Sequence, residues 1–287
     1  SGEATTGRLS EKLKVEKIVR NVAQFCGFSQ GMTYSFESPK VFDKLLLDKD
    51  DVLRQAIVIS NPLGEDFSIM RTTSMNGMLT SLATNYNRRN KNMRTLPLNG
   101  MMTSLATNAN RRNKDVRLFE MGNIYLPKQL PLTELPEERM QLTLGMYGEG
   151  DFFTMKGVIE EITSQLGMDA KLTYDPASGK NFLHPGRQAN VLYQDKVIGY
   201  LGEVHPKVCA NYGMKERTYI VVVDMPAVME FVSFDKKYEG IAKFPAATRD
   251  ISMVVPKEIL VGQIEEVFET KGGNYLEGLA RTENVVF

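Results

Sequence analysis

The stretch FLHPGRQANVLYQDKVIGYLGEVHP, from Phe182 to Pro206, contains two short apolar runs separated by a polar turn. Val191–Tyr193 and Val197–Val204 are rich in β-branched and aromatic residues, and Gln194–Lys196 lies between them. This pattern predicts a β-hairpin. Pro206 suits the first turn of a helix that follows. Hairpins mixed with helices favour an α+β fold over a parallel doubly wound sheet.

Further helices and strands are predicted on both sides of this hairpin. Apolar residues recur every three or four positions in three segments, which predicts helices over Val15–Phe25, Val158–Leu166 and Val261–Phe268. Alternating or continuous apolar runs predict strands at Met32–Phe36, Ile57–Ile59, Val116–Tyr125, Gln141–Tyr147, Tyr219–Asp224 and Arg249–Val255. A boundary near Gly240 divides the chain into residues 1–240 and a truncated β-α-β tail over 241–287.

The composition excludes several classes of protein. The 287 residues carry 35 basic and 35 acidic side chains, so the formal net charge is zero and argues against binding dominated by phosphate neutralisation. No apolar run reaches the 18 residues that a membrane span needs, and the first residues do not resemble a signal peptide, so we expect a cytoplasmic protein with no membrane partner. The two cysteines, Cys26 and Cys209, are too few for a disulfide framework or a zinc cluster.

A direct repeat is the most unusual feature of the chain. Asn76–Lys91 reads NGMLTSLATNYNRRNK, and Asn99–Lys114 reads NGMMTSLATNANRRNK. The copies differ only at Leu79/Met102 and at Tyr86/Ala109. Each copy is predicted to form an amphipathic helix, and the near identity indicates a recent or engineered duplication. Both copies cannot fill one position in a core.

Each copy of the repeat ends in a basic run. Arg88 and Arg89 in the first copy correspond to Arg111 and Arg112 in the second. These arginines could follow the phosphates of a nucleic acid. Alternatively, they complement the negative end of each helix dipole.

The two histidines each precede a proline. His184 and His205 could act as an acid and a base, or could bind a metal together with Glu203. The alternative is that each histidine accepts a hydrogen bond from the local backbone at its turn. The sequence contains none of the phosphate-binding, nucleophile-elbow or HExxH motifs. We therefore predict no catalytic, cofactor-binding or metal-binding residue in this chain.

Taken together, the ordered motifs resemble the beta subunit of bacterial phenylalanyl-tRNA synthetase. The shorter matching segments are Gly31–Phe36, Asn61–Leu63, Met70–Thr72, Val116–Gly122, Asp151–Phe153 and Lys156–Gly157. The most specific series is His184, Pro185, Gly186 and Arg187, followed by Gly199, Gly202, Glu203, His205 and Pro206. In the tail, Phe244–Pro245 and Arg249–Val255 resemble the start of that subunit's ferredoxin-like anticodon-binding domain.

The resemblance implies a class II synthetase fold, with an antiparallel sheet flanked by helices, in a subunit that does not itself activate phenylalanine. It also implies an assembly of two alpha and two beta chains that binds tRNA, with ATP, magnesium and phenylalanine held on the alpha chain. The sequence departs from an ATP-binding class II core, because no Gly-x-Gly-x-Glu-Arg segment is present. Glu216-Arg217 lacks that glycine spacing. We therefore predict that the isolated chain is inactive.

Three interpretations of function follow. The first is a structural and assembly module of the synthetase beta chain, in its catalytic-like core. The second is a tRNA-binding module that uses the repeated basic helix ends. The third, compatible with the first, is an engineered helix duplication in this fold. The family has one helix where this chain has two copies, so the sequence leaves open which copy occupies the native position.

Overall fold

The computed structural model describes residues 7–87, 115–235, 247–256, 259, 261–273 and 276. The chain divides into two compact units, residues 1–236 and residues 237–287. The assignment of 1–240 to a catalytic-like core and of 241–287 to an anticodon-binding domain stays a prediction. Among the described residues, no helix combines the length and the apolar character required to cross a bilayer.

The first unit begins with helix α1, Glu11–Phe25. The amide of Leu13 donates a hydrogen bond of 3.3 Å to the Ser10 hydroxyl, which caps the helix. Gly27 follows the helix with a φ of 85°, a left-handed conformation that glycine adopts without strain.

A seven-stranded sheet forms the centre of this unit, in the order β1-β4-β5-β9-β8-β7-β6. Its strands are β1 Ser29–Gln30, β4 Val116–Leu126, β5 Glu137–Tyr147, β6 Thr173–Asp175, β7 Leu183–Tyr193, β8 Lys196–Val204 and β9 Thr218–Asp224. All neighbouring strands are antiparallel except β1 and β4, which are parallel. The predicted α+β fold is therefore confirmed, with a sheet that is mixed at one edge. A second sheet pairs β2, Phe36–Glu37, with β3, Ile69–Met70.

The predicted hairpin is strands β7 and β8. Its loop contains two residues, Gln194 and Asp195, with φ angles of 47° and 63°. Two residues with positive φ twist a loop to match the flanking strands. Lys196, which the sequence assigned to the turn, already pairs with Tyr193 in the ladder.

Helices cover both faces of the sheet. They are α2 Val41–Lys44, α3 Met75–Asn87, α4 Phe152–Gln165, α5 Pro206–Asn211 and α6 Met225–Met229, in addition to α1. Buried side chains of α1, α4 and α6 form one apolar core with the sheet. Buried side chains of α2, α3 and α5 form a second core. The sheet is thus the middle layer of three, with a core on each of its faces.

Helix α3 contains residues 76–87 of the first copy of the repeat. Its Met78 and Leu82 are buried and lie directly on β5 at Gly145, where a Cβ would stand 2.7 Å from the Met78 Cγ and 2.8 Å from a Leu82 methyl carbon. The absence of a side chain at Gly145 therefore lets the helix approach the sheet. The second copy, Asn99–Lys114, lies outside the described residues.

Three predicted strands differ from the structure. Residues 31–35 are not a strand, because this segment leaves β1 and crosses to the small sheet, where the Arg71 amide donates to the Ser35 carbonyl. Ile57–Ile59 forms a single bridge, between Val58 and Ile69, instead of a strand.

The third incorrect strand lies in the second unit. Residues 249–255 form no strand, and Ile251 and Met253 are exposed. An isolated extended segment lacks the ladder hydrogen bonds that hold a strand. The predicted helix that follows is present as α7, Val261–Gly272.

Candidate functional site

A buried ion pair joins the small sheet to strand β4. Arg71 Nη1 lies 2.9 Å from Glu120 Oε1, and each side chain is 3% exposed. Arg71 Nε donates to the Asn123 carbonyl at 2.7 Å. Thr33 donates to the same carboxylate twice, from its amide at 3.2 Å and from its hydroxyl at 2.7 Å. These hydrogen bonds satisfy charges whose burial would otherwise cost several kcal/mol.

The ion pair connects three of the sequence motifs. Thr33 belongs to Gly31–Phe36, Arg71 to Met70–Thr72, and Glu120 to Val116–Gly122. Gly122 completes the arrangement, because a Cβ at this position would overlap the Arg71 guanidinium. The three motifs therefore form one polar cluster inside the fold.

A second buried chain of hydrogen bonds begins at Glu37, which is 4% exposed. Asn76 Nδ2 donates to Glu37 Oε1 at 2.9 Å, and the Tyr212 hydroxyl donates to Asn76 Oδ1 at 2.8 Å. Glu37 Oε2 is buried and has no hydrogen-bond partner in the described part of the chain. Burial raises the pKa of Glu37 to about 7, although Asn76 and Arg71 oppose this shift. Glu37 is thus a buried carboxyl that ionises near neutral pH.

The most specific motif forms a pronounced bulge in the hairpin. Leu183 pairs with Val204 and Gln188 pairs with Gly202, so the four residues 184–187 lie opposite Glu203 alone. Pro185 lies in this irregular stretch, where its missing N–H removes no ladder hydrogen bond. Bulges redirect side chains at the point where they occur.

Glu203 is the buried centre of this bulge. Its side chain is 5% exposed, and its Oε2 atom lies 2.9 Å from Arg187 Nη1. Arg217 approaches Oε1 at 4.0 Å and is 69% exposed. A Cβ at Gly202 would stand 2.7 Å from the Arg187 carbonyl oxygen, so glycine permits the close approach of the two strands. The paired glutamate and arginine thus fix the bulge.

Both histidines bind the local backbone. The His184 Nδ1 atom accepts a 3.1 Å hydrogen bond from the Gly186 amide. The His205 Nδ1 atom accepts a 3.1 Å bond from the Lys207 amide and caps helix α5, with Pro206 in the first turn. Both predicted hydrogen bonds to the local backbone are therefore present. No group of three potential metal ligands is found among the described residues.

A cavity of about 230 Å³ opens beside the start of α3. Gln141 of β5 and Tyr200 of β8 line it from the sheet. Its other walls come from the loop after α2, the residues just before α3 and the loop before β7. They are Asp48, Asp51, Val52, Leu53, Thr72, Thr73, Gly179, Lys180, Asn181 and Phe182.

Comparison with known proteins identifies the family. The family model "Phenylalanyl tRNA synthetase beta chain CLM domain" matches residues 1–95 and 91–225. The chain belongs to the phenylalanyl-tRNA synthetase beta chain family. The two matches meet within the duplicated region, so each contains one copy of the repeat.

Full-length beta subunits are similar over almost all of this chain. The phenylalanine–tRNA ligase beta subunit of Clostridium acetobutylicum is 40% identical over 274 residues, which are 96% of this chain and 31% of that subunit. The corresponding subunit of Clostridium tetani is 39% identical over 88% of this chain and 29% of its own length. The chain therefore spans about a third of the length of the curated relatives that it matches.

Solved structures confirm the class II synthetase fold. The pyrrolysyl-tRNA synthetase of Desulfitobacterium hafniense matches with a TM-score of 0.53 and 13% identity, over 76% of this chain and 68% of that chain. A second structure of a pyrrolysyl-tRNA synthetase from this organism matches with a TM-score of 0.54 and 12% identity over the same shares. At this level of identity the likeness concerns the fold alone.

The tRNA contacts predicted for the beta chain fall in the part of the sequence that the structure does not describe. Arg88, Arg89, Arg111 and Arg112 lie outside the described residues, and their contact with tRNA stays a prediction. The resemblance also implies a structural role for the motif that contains His184 and His205. This role stays a prediction, although the geometry of the bulge is described above.

Sequence reasoning missed the two buried polar clusters. One signal was available: Glu120 lies between two apolar residues, Phe119 and Met121, in a strand that is mostly apolar. A charged residue is almost never fully buried without a partner, so such a position requires a cation nearby. Nothing in the sequence indicated that Arg71 would be this cation.

Proposed function

We propose that this chain is the catalytic-like core of a phenylalanyl-tRNA synthetase beta subunit and acts as a structural and assembly module in the cytoplasm. It packs on the catalytic alpha chain and helps to position tRNA during the attachment of phenylalanine. ATP, magnesium and phenylalanine bind on the alpha chain, in an assembly of two alpha and two beta chains.

The position of helix α3 carries this proposal. The close contact of Met78 and Leu82 with Gly145 places apolar side chains on β5, an inner strand of the sheet. The cavity left beside the helix, about 230 Å³, is smaller than the 300–1,000 Å³ typical of pockets for drug-sized ligands. ATP is at least as large as a drug-sized ligand and would not fit in this cavity. The cavity volume therefore supports a core that does not bind nucleotide.

The arginine of the atypical Glu216-Arg217 segment supports the same division of labour. Arg217 is largely exposed and faces the buried Glu203 carboxylate, at 4.0 Å. A carboxylate beside an arginine opposes the approach of a phosphate, because the two anions repel each other.

The test is to mix the purified chain with the phenylalanine–tRNA ligase alpha subunit of Clostridium acetobutylicum and to measure mass by light scattering. A stable complex that aminoacylates tRNA supports the proposal. The isolated chain should show no phenylalanine-dependent pyrophosphate exchange, and exchange above background would contradict the non-catalytic assignment.

Two deletion variants are the matched controls for the duplication. Removing residues 76–98 or residues 92–114 leaves one copy of the repeat and the spacing of the family. A complex formed only by these variants would show that the extra copy blocks an otherwise competent assembly surface. If neither the parent chain nor either variant forms a complex, the assembly role is wrong.

A further inference from the structure

The cavity beside α3 has walls of opposite charge. Asp48 and Asp51 contribute carboxylates from the loop after α2, and Lys180 contributes an ammonium group from the loop before β7. The cavity is built entirely from residues of the first unit.

These charges do not neutralise one another. Among the described residues, neither the Lys180 ammonium nor either carboxylate takes part in an ion pair. Asp48 Oδ2 accepts a 2.6 Å hydrogen bond from Asn181 Nδ2, and Asp51 Oδ1 accepts a 2.8 Å bond from the Leu53 amide. Each carboxylate is therefore held by one hydrogen bond, and its second oxygen accepts none from the described residues.

Lys180 contacts two other residues, Tyr200 and Gln188. Its Nζ atom lies 5.4 Å from the centre of the Tyr200 ring, within the range of a cation–π interaction. Its amide donates to Gln188 Oε1 at 2.9 Å, which fixes the backbone of the loop. Both signs of charge thus line one cavity without forming an ion pair among the described residues.

Two aromatic residues also line the cavity. Phe182 is 3% exposed, and its ring centre is 5.7 Å from that of Tyr200. Burial, followed by the nearby Asp51 carboxylate, raises the pKa of Tyr200, while a hydrogen bond with Thr73 opposes the shift. Tyr200 is therefore a neutral, mainly apolar surface at neutral pH.

We propose that this cavity binds a small zwitterion with an apolar side chain, of the α-amino acid class. The ligand ammonium faces Asp48 and Asp51, its carboxylate faces Lys180, and its side chain packs on Tyr200 and Phe182. A volume of about 230 Å³ corresponds to about eight water molecules at about 30 Å³ each, which suits a ligand of this size. This site is separate from the assembly role, so either proposal can fail without the other.

The first experiment titrates the 287-residue chain with L-leucine, L-methionine and L-phenylalanine and follows saturation-transfer NMR signals. At least one amino acid should bind saturably, and its decarboxylated amine and its deaminated acid should each bind about tenfold more weakly, because each lacks one charged contact. The absence of saturable binding by all three would overturn the proposal, as would equal binding of the amino acid and of either analogue.

Variants identify the site. Lys180→Met and Asp51→Asn should each weaken binding about tenfold, since each removes one charge from the cavity. Lys12→Met and Asp169→Asn, which change exposed residues outside the cavity, are the matched controls and should leave binding unchanged. Thermal unfolding checks that each variant is folded, and Lys180→Arg, which keeps the charge, should retain binding if Lys180→Met unfolds. Wild-type affinity in the folded Lys180→Met and Asp51→Asn variants would overturn the assignment.

Discussion

Arg71 Nη1 lies 2.9 Å from Glu120 Oε1, although 49 positions separate the two residues in the sequence. Both side chains are 3% exposed, and Thr33 donates hydrogen bonds to the same carboxylate. This relationship explains why three separated motifs occur together in the chain. They supply the arginine, the carboxylate and the hydroxyl of one buried cluster, which holds the small sheet against β4.

Removing one partner of this pair should strongly destabilise the chain. Arg71→Met leaves Glu120 as an uncompensated buried charge, so the free energy of unfolding should fall by about 3–5 kcal/mol. Urea denaturation of the purified chain measures this change. The control is Lys128→Met, which breaks a pair whose side chains are 60% and 54% exposed and should cost no more than about 1 kcal/mol. Equal losses in the two variants would show that the buried pair contributes no special stability.

Two glycine substitutions should change stability in opposite directions. In Gly122→Ala the new methyl group meets the Arg71 guanidinium, so unfolding should become easier by about 1–3 kcal/mol. Gly157→Ala lies within α4, where a Cβ has no atom within 4 Å. This change should stabilise the chain by about 0.5–1 kcal/mol, because alanine is the better helix former. Thermal unfolding of both variants checks the contrast, and destabilisation by Gly157→Ala or none by Gly122→Ala would contradict the packing described.

Glu37 should make stability fall as pH rises from about 4.5 to about 7. Its pKa is about 7 in the folded chain and near the ordinary value of 4.5 when unfolded. The folded state therefore binds the proton more tightly across this interval, and raising the pH removes stability on the order of 3 kcal/mol.

The measurement is the free energy of unfolding at several pH values for the parent chain and for Glu37→Gln. The difference in the free energy of unfolding between the two proteins should change from about pH 4.5 to about pH 7 and then level off. The reason is that the variant cannot ionise at this position. A constant difference would mean that Glu37 is already ionised at low pH, held by Arg71 and Asn76.

The single-copy deletions should differ from each other in stability. The variant that lacks residues 92–114 keeps Leu79 and Tyr86, whereas the variant that lacks residues 76–98 places methionine and alanine at those positions. Tyr86 makes an edge contact with Tyr147, with ring centres 5.7 Å apart. The first variant should therefore be more stable by about 1–2 kcal/mol.

Both deletion variants should be at least as stable as the parent chain, since one helix fills the position on the sheet. Chemical denaturation of all three proteins provides the comparison. A marked loss of stability in both variants would show that the two copies are integral to the fold. Equal stability of the two variants would show that the contact of Tyr86 with Tyr147 does not stabilise the fold.

The basic runs should contribute to tRNA binding if the nucleic-acid interpretation applies. Replacing Arg88, Arg89, Arg111 and Arg112 by alanine should weaken binding of tRNA and reduce its dependence on salt, because fewer counterions are released. Fluorescence anisotropy at several salt concentrations measures both effects. The control replaces the exposed Lys12 and Lys17 of α1, and an equal effect of the two sets would indicate nonspecific attraction.

Local patterns predicted most of the regular elements correctly. The spacing of Val15, Val19 and Val22 gives α1 its buried side, and the apolar runs around Gln194-Asp195 give the hairpin. These features depend on residues near one another in sequence. The failures at Met32–Phe36 and Arg249–Val255 have a common cause, since a strand needs a partner that its own sequence does not specify.

The candidate site was less predictable than the fold. The backbone hydrogen bonds of His184 and His205 followed from the prolines beside them, so the sequence was sufficient there. The cavity required residues from three distant loops, represented by Asp51, Lys180 and Tyr200, and no spacing in the sequence brings these together.

The sequence by itself determined the family, the α+β class, the hairpin and the presence of a nearly identical repeated segment. The tertiary structure placed the first copy, α3, on β5 and joined Arg71 to Glu120. It also placed Glu203 across the hairpin from the four residues of the bulge. The physical reason is that helix and turn signals act over a few residues, whereas burial and charge pairing depend on which distant segments the folded sheet brings into contact.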